Sequence, residues 1–365
     1  MTVSHKSHAH SHAGAGIAAL GFTPWFAARR DHTLPEHFAF ARVCAVDRGT
    51  CRVSSGGAEA IAELSGRLAF NTLDGVNLPC VGDWIVAQYY NDGTAAIIHQ
   101  VLPRQTCLCR RMAGTDAATQ TIAANVDTAF LVQSCHTDFN PNRLDRYLVM
   151  ARTGGVLPVV LLTKTDLVPP ATVRTMLATL GDATGAQIVP VSSLTGEGLE
   201  TLQGHLSPGK TYCLLGSSGV GKSTLINTLR GDDTLQTAPT SASGEGTHTT
   251  TRRQLVRLPQ GALLVDTPGM RELGIADTED NVSASYADIT LLAQQCRYAD
   301  CSHQQEAGCA VRDAISSGEL SAARYHNYLK LLKESAHYAM SHVERRHKDK
   351  AFGKMVRKVK ALHRH

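Results

Sequence analysis

Gly216-Ser217-Ser218-Gly219-Val220-Gly221-Lys222-Ser223 is the stretch that decides the fold. An apolar run, Thr211 to Leu215, precedes it and reads as a buried strand. Thr224-Leu225-Ile226-Asn227-Thr228-Leu229 follows and reads as the opening of a helix. A glycine-rich turn between a strand and a helix is the context of a phosphate-binding loop. The glycines let backbone N–H groups face a polyphosphate, and the helix N-terminus adds the positive end of its dipole. Lys222 can reach the β- and γ-phosphates, and the Ser223 hydroxyl can ligate Mg²⁺.

Strand and helix signals alternate on both sides of the loop. Upstream, Ala129-Phe130-Leu131-Val132 and Pro158-Val159-Val160-Leu161-Leu162 read as buried strands. Between them Asn140 caps a helix with Pro141 at its first position, and Leu144, Tyr147, Leu148 and Ala151 recur at helical spacing. A helix around Val173 to Leu180 and a strand from Gln187 to Val191 come next. Downstream, a Gly- and Thr-rich stretch from Gly244 to Thr251 reads as a mobile loop, and strand Ala262 to Val265 delivers Asp266-Thr267-Pro268-Gly269. This alternation predicts an α/β domain around a parallel sheet with right-handed crossovers.

Ligands of open parallel sheets bind at the carboxyl ends of the strands. Asp266 is at such an end, where a carboxylate can hold Mg²⁺ through its hydration shell while the Gly269 N–H meets a γ-phosphate. Thr163-Lys164-Thr165-Asp166 is at another. The Asp166 carboxylate can accept two hydrogen bonds from guanine N1–H and N2–H₂, a donor pair that adenine lacks, and the Lys164 stem can pack over the base. Backbone N–H groups of Ser192-Ser193, at the next strand end, can meet guanine O6. The guanine-reading candidates precede the phosphate loop, and none follows Gly269. A parallel sheet tolerates that order if the chain is circularly permuted.

From about Ala39 to Pro103 the pattern changes to short strands with Gly-rich turns, among them Asp47-Arg48-Gly49 and the hairpin signal Asn91-Asp92-Gly93. A small unit of this kind predicts a barrel, an OB-fold. Residues 1 to about 35, with His5, His8, His10 and His12 among Ser, Ala and Lys, read as an unstructured tail. The net charge is only +4, from 36 Lys and Arg against 32 Asp and Glu. It is unevenly spread: Ser341 to His365 alone holds nine basic and two acidic residues, a local +7, which leaves −3 for the rest. A basic tail on a near-neutral body points to a polyanionic partner. The ten cysteines come without an apolar leader, and no apolar run reaches the length of a membrane span, so a cytoplasmic protein with reduced thiols is expected. Cys296-x₄-Cys301-x-His303-x₅-Cys309 offers three thiolates and an imidazole, a set that closes a tetrahedral structural Zn²⁺ site with no position left for a reactive water.

The order of motifs resembles the circularly permuted GTPases of the RsgA (YjeQ/YloQ) family, which act in maturation of the small ribosomal subunit. The resemblance rests on Gln120-Thr121-Ile122-Ala123-Ala124-Asn125-Val126-Asp127, on the loop from Gly216 to Ser223, on His248-Thr249-Thr250-Thr251, on Asp266 to Gly269 and on the Cys/His cluster. It runs from about Arg42 to Leu332. Two positions depart from the family's commonest pattern. Thr163 replaces an Asn, which is expected to loosen packing between the guanine loop and the phosphate loop. Ser193 replaces an Ala, which matters little if backbone N–H groups read O6. Met270 directly follows the aspartate–x–x–glycine and cannot orient water by hydrogen bonding. His248 is therefore the catalytic candidate, and the resemblance also points to it. Thr250, with Thr249 as the alternative, is the expected contact of that loop to Mg²⁺ and the γ-phosphate.

The expected organisation is a His-rich tail (1–38), an OB-fold barrel (39–112), a permuted GTPase domain (113–276), a helical zinc-binding domain (277–340) and a basic tail (341–365). The expected activity is hydrolysis of GTP to GDP and phosphate, which the resemblance implies is stimulated by the 30S subunit or 16S rRNA, in a monomeric protein with no membrane contact. The alternative is an RNA-binding zinc protein in which GTP is a regulatory ligand with little hydrolysis. An ATP-dependent enzyme is disfavoured by Asp166.

Overall fold

Alternation of inward and outward residues along short strands builds the barrel. In the computed structural model the described residues are 16–47, 49–71, 78–111, 119–136, 139–231, 253–266, 282–283 and 285–339. Strands β1 (Ala39–Val46), β2 (Cys51–Ser54), β3 (Ala60–Leu64), β4 (Trp84–Tyr90) and β5 (Ala95–Val101) are hydrogen-bonded in the order β1-β2-β3-β5-β4, and β4 pairs back to β1. β3 and β5 run parallel, the other pairs antiparallel. This is the closed five-stranded barrel of an OB-fold. On β3, Ala60 and Ala62 face the interior while Ile61 is 59% exposed. Alanines at 41, 60, 62, 87 and 96 keep the interior narrow, and Val43, Val53, Ile85 and Ile98 fill it. Asn91-Asp92-Gly93 forms the turn between β4 and β5, with all three residues at positive φ.

The N-terminal expectation needs correction for residues 16–38. Composition alone suggests a tail, but Ile17, Leu20, Phe22, Trp25 and Phe26 pack with Phe38, Phe40 and Trp84 into one cluster. Phe22 lies 4.7 Å from the Phe40 ring and 4.9 Å from Trp84, centroid to centroid. Burying these aromatic surfaces outweighs the entropy of ordering a short strap. The histidines at 5, 8, 10 and 12 lie outside the described residues.

After the barrel, β6 (Cys107–Arg111) and β7 (Thr119–Ala124) form a two-stranded ribbon. The α/β part follows. β8 (Thr128–Ser134), β9 (Leu157–Thr163), β10 (Gln187–Val191), β11 (Thr211–Leu215) and β13 (Leu263–Asp266) are parallel, in the order β10-β9-β8-β11-β13. β12 (Gln254–Arg257) runs antiparallel to β13. β8 is buried throughout, sending Ala129 and Leu131 to one face and Phe130 and Val132 to the other. That is the behaviour of a strand covered on both sides. Helix α1 (Pro141–Thr153) buries Leu144, Tyr147, Leu148 and Ala151 in the first of these cores. Its N-cap is Asn140, whose Oδ1 accepts the Arg143 N–H at 3.1 Å. α2 (Pro170–Thr184), α3 (Leu199–Gly204) and α4 (Lys222–Arg230) complete this part.

Barrel and α/β sheet belong to one compact unit, residues 1–110 and 120–273. β12 bridges to β1 at Gln254 and Ala45, which makes one 11-stranded sheet. Arg42, fully buried, ties the joint together. Its guanidinium donates to the carbonyls of Leu20, Gly82 and Asn125, which come from the strap, the barrel and the segment after β7. Burial pushes the Arg42 pKa down to about 10, so it keeps its charge at neutral pH. Beside it, Arg104 grips buried Asp83 with two hydrogen bonds of 2.8 Å.

The second unit, residues 111–119 and 274–365, carries the helices that follow β13. α5 (Ala287–Ala293), α6 (Ala310–Ser317) and α7 (Ala322–Ala339) bury Ile289, Val311, Ala314, Tyr325 and Leu331. Asp288 and Arg324 join α5 to α7 with bonds of 2.8 and 2.9 Å.

Candidate nucleotide site and cysteine cluster

Because β10, β9, β8, β11 and β13 are parallel neighbours, their carboxyl ends line one edge of the sheet. Ser192 and Ser193 follow β10, Thr163 to Asp166 end β9 and continue past it, the glycine-rich loop follows β11, and Asp266 ends β13. Chain order reverses between β8 and β11: β9 and β10 extend one way and β13 the other. A crevice at such a switch point is where open α/β sheets take their ligands.

The loop excludes a side chain at Gly216 and takes left-handed backbone at two further glycines. A Cβ on Gly216 would meet the Val132 carbonyl at 2.6 Å. Gly219 and Gly221 have φ of +81° and +98°, and Gly221 is the N-cap of α4. Ser217 and Val220 are buried, Ser218 and Ser223 half-buried and Thr224 exposed. Lys222 is 8% exposed, and its ammonium donates to the carbonyls of Gly216 at 2.7 Å and Ser217 at 2.6 Å. A buried cation held by neutral carbonyls at a helix head gains by exchanging one of them for an anionic oxygen.

Three contacts join the strand ends. The Lys164 ammonium donates to the Gly219 carbonyl at 2.7 Å, with Lys164 itself in the left-handed region at φ +60°. The Ser192 hydroxyl donates to Asp166 Oδ1 at 2.6 Å, so Asp166, exposed at the crevice, is oriented from the next strand. The buried Thr163 hydroxyl lies 2.7 Å from the Val220 carbonyl and 3.1 Å from that of Gln133. The Thr163 hydroxyl thus reaches the phosphate loop directly. Thr165 is buried, with Oγ1 3.5 Å from Glu197 Oε2. Asp266 is 3% exposed. His248, Thr249, Thr250, Gly269 and Met270 lie outside the described residues.

Sequence reading passes over Gln133. Buried at the end of β8, its Oε1 accepts the Asn140 N–H at 3.1 Å, while its carbonyl faces Thr163. A lone amide closing the apolar run Thr128–Ser134 was the available signal. Asn125, within the stretch Gln120–Asp127, is a second buried amide. At φ +53° it donates from Nδ2 to Gly82 O and accepts the Gln105 N–H, fixing the barrel against the start of β8.

In the helical unit, the ligand atoms of Cys296, Cys301, His303 and Cys309 all lie within 4.8 Å of one another. His303 Nδ1 is 3.4 Å from Cys296 Sγ and 3.5 Å from Cys309 Sγ, and those sulfurs are 3.9 Å apart. Tetrahedral zinc with bonds of about 2.3 Å to sulfur and 2.0 Å to nitrogen requires separations of roughly 3.5 and 3.8 Å. The cluster can therefore hold a metal ion. Burial pushes the Cys296 thiol up, but the Val311 and Ala310 N–H groups at the head of α6, with the neighbouring thiols, bring it below its usual value. Tyr325 braces the loop by donating to the His303 carbonyl at 3.0 Å.

A family model described as RsgA GTPase matches residues 101–276. A small ribosomal subunit biogenesis GTPase RsgA from Opitutus terrae is 41% identical over 338 residues, 88% of this chain and 90% of that protein. The chain belongs to the RsgA GTPase family. A second RsgA, the Vibrio vulnificus protein named small ribosomal subunit biogenesis GTPase RsgA 2, is 45% identical over 287 residues, 77% of this chain and 79% of that one. The crystal structure of YjeQ from Thermotoga maritima matches with a TM-score of 0.60 at 27% identity, covering 82% of this chain and 98% of that one. This RsgA-family chain is accordingly a GTPase with an N-terminal barrel, a permuted α/β domain and a helical domain carrying a metal-competent cluster. No helix among the described residues is long and apolar enough to cross a membrane.

Proposed function

We propose that this GTPase binds the small ribosomal subunit and hydrolyses GTP during late maturation of that subunit. Its relatives at 41% and 45% identity are named small ribosomal subunit biogenesis GTPases. The observation that carries the site reading is the 2.7 Å bond from Lys164 to the Gly219 carbonyl. It ties the residues suited to a base to the loop suited to its phosphates, so one ligand with both parts accounts for the arrangement.

In this reading Asp166 accepts from guanine N1–H and N2–H₂, with Ser192 holding its other lone pairs in register. The N–H groups of Ser192 and Ser193 meet O6, and Thr163, Lys164 and Thr165 shape the base pocket. The amides of Gly216 to Thr224 wrap the phosphates, and Lys222 turns its ammonium from the loop carbonyls to phosphate oxygens. Ser223, Thr250 and Asp266 would hold Mg²⁺, which neutralises charge on the β- and γ-phosphates. Gly269 donates its N–H to the γ-phosphate. Water attacks in line, and the protein contributes positioning and charge neutralisation rather than a covalent step. His248 orients that water, because Met270 cannot. We assign zinc, in a structural role, to Cys296, Cys301, His303 and Cys309 on their donor set. The barrel and the basic residues 341–365 contact 16S rRNA, and the protein acts as a cytoplasmic monomer that leaves the subunit with GDP.

Single-turnover GTP hydrolysis with and without purified small subunits tests this. A clear rise in rate on adding subunits is expected, and no change removes the partner assignment. His248→Ala is expected to keep GTP affinity and lose about 100-fold in stimulated rate, the scale of one proton-handling group. Unchanged turnover would sink the role given to His248.

A further inference from the structure

Strand β6 carries Cys107 and Cys109, two residues apart and therefore on one face of the strand. Their sulfurs are 3.0 Å apart, about 1 Å longer than a disulfide bond. Thr121 Oγ1, from β7, is 3.9 Å from each sulfur. The backbone under the pair is fixed. The Cys107 N–H donates to the Gly154 carbonyl at 3.0 Å, and a Cβ on Gly154 would come within 2.2 Å of the Cys107 carbonyl. Both thiols are half-buried, so small solutes reach them. Neither is used by the nucleotide site or the metal cluster.

We propose that Cys107 and Cys109 are a reversible redox pair that hydrogen peroxide closes to a disulfide. Cys109 is the attacking sulfur. The 3.0 Å hydrogen bond between the two sulfurs pulls the Cys109 thiol down to about 7, against the upward push of burial. The same bond, with burial, pushes Cys107 up. Burial sends other thiols the opposite way from Cys109: Cys44 rises to about 12, and Cys51 and Cys135 to about 11. Since the thiolate is the nucleophile, this favours Cys109 over them. It attacks one peroxide oxygen, the O–O bond breaks, and the departing hydroxide takes a proton to leave as water. The resulting Cys109 sulfenic acid is attacked by Cys107; the S–O bond breaks and a second water leaves with the thiol proton. Two thiols and one peroxide give one disulfide and two waters, with two electrons passing from sulfur to oxygen. Two residues of strand span about 6.8 Å between Cα atoms, the long end for a disulfide, so a dithiol reductant reopens the bond readily.

The full chain is treated with hydrogen peroxide, quenched with N-ethylmaleimide and digested with trypsin. Cleavage after Arg104 and Arg110 releases Gln105–Arg110, which holds both thiols and no other cysteine. The expected product is that peptide lacking two hydrogens and both maleimides, restored by dithiothreitol. Recovery with two maleimides, or with Cys109 oxidised to the sulfinic acid beside an alkylated Cys107, overturns the proposal. In Cys107→Ala, dimedone should trap the Cys109 sulfenic acid, and Cys109 alkylation at pH 7 should slow about tenfold as its thiolate fraction falls. An unchanged alkylation rate would equally overturn it.

Discussion

The Thr163 hydroxyl is the smallest group on which the nucleotide site depends. It spans the gap to the Val220 carbonyl at 2.7 Å, so one side chain from β9 reaches the loop after β11. Thr163→Val keeps shape and volume and removes the donor. A neutral hydrogen bond contributes about 1 kcal/mol, so GTP should bind about fivefold more weakly in a fluorescent-nucleotide titration. Equal affinity would show that the tie adds nothing. Asp166 was legible from its place after an apolar strand, but its bond from Ser192 was not, because nothing in the chain states which strand lies next to β9. Gly216 is similar. Its pattern is visible in the sequence, whereas the Val132 carbonyl that excludes any Cβ comes from a distant segment.

At the scale of elements, the joint between barrel and sheet is built from polar residues that sequence patterning ignores. Arg42 lies in the middle of β1, and Asp83 beside a Gly in a turn, so each passes for a surface residue. Folding buries both and supplies partners: three carbonyls for Arg42, and Arg104 with the Cys80 N–H for Asp83. Removing one member of a buried pair leaves the other desolvated and uncompensated. Arg104→Met is therefore expected to destabilise the first unit by about 3–5 kcal/mol, and Arg104→Met with Asp83→Asn by less. The chain's two tryptophans, Trp25 and Trp84, both lie in the strap and barrel, so their fluorescence during urea unfolding reports this unit. A cost below about 1 kcal/mol, the range of exposed pairs, would contradict the buried-pair account.

At the scale of the whole molecule, the chain divides into a nucleotide-site unit and a metal-competent helical unit. α5 and α6 are short, 7 and 8 residues, and helices of that length are marginal alone. A metal ion held by the four side chains would tie the loops between them. Purified protein is expected to release one zinc per chain to a strong chelator, with loss of helical circular dichroism. GTP affinity should stay within about twofold, since every described residue of the nucleotide site is in the first unit. Cys309→Ser should reproduce the loss. Unchanged ellipticity after complete metal removal would show that the helices hold without it.

The sequence by itself determined the loop, the strand-helix alternation, the permuted motif order and the four residues of the Cys/His cluster. These are local signals, set by backbone freedom at glycine, by hydrophobic period and by ligand spacing. It also marked the barrel strands by their alternation. Tertiary structure alone decided which strand ends are neighbours, and hence that Thr163 and Lys164 reach the phosphate loop and Ser192 reaches Asp166. It also decided that residues 16–38 form a strap, because their aromatic side chains gain stability only against Trp84 and Phe40, surfaces that exist only once the barrel has closed.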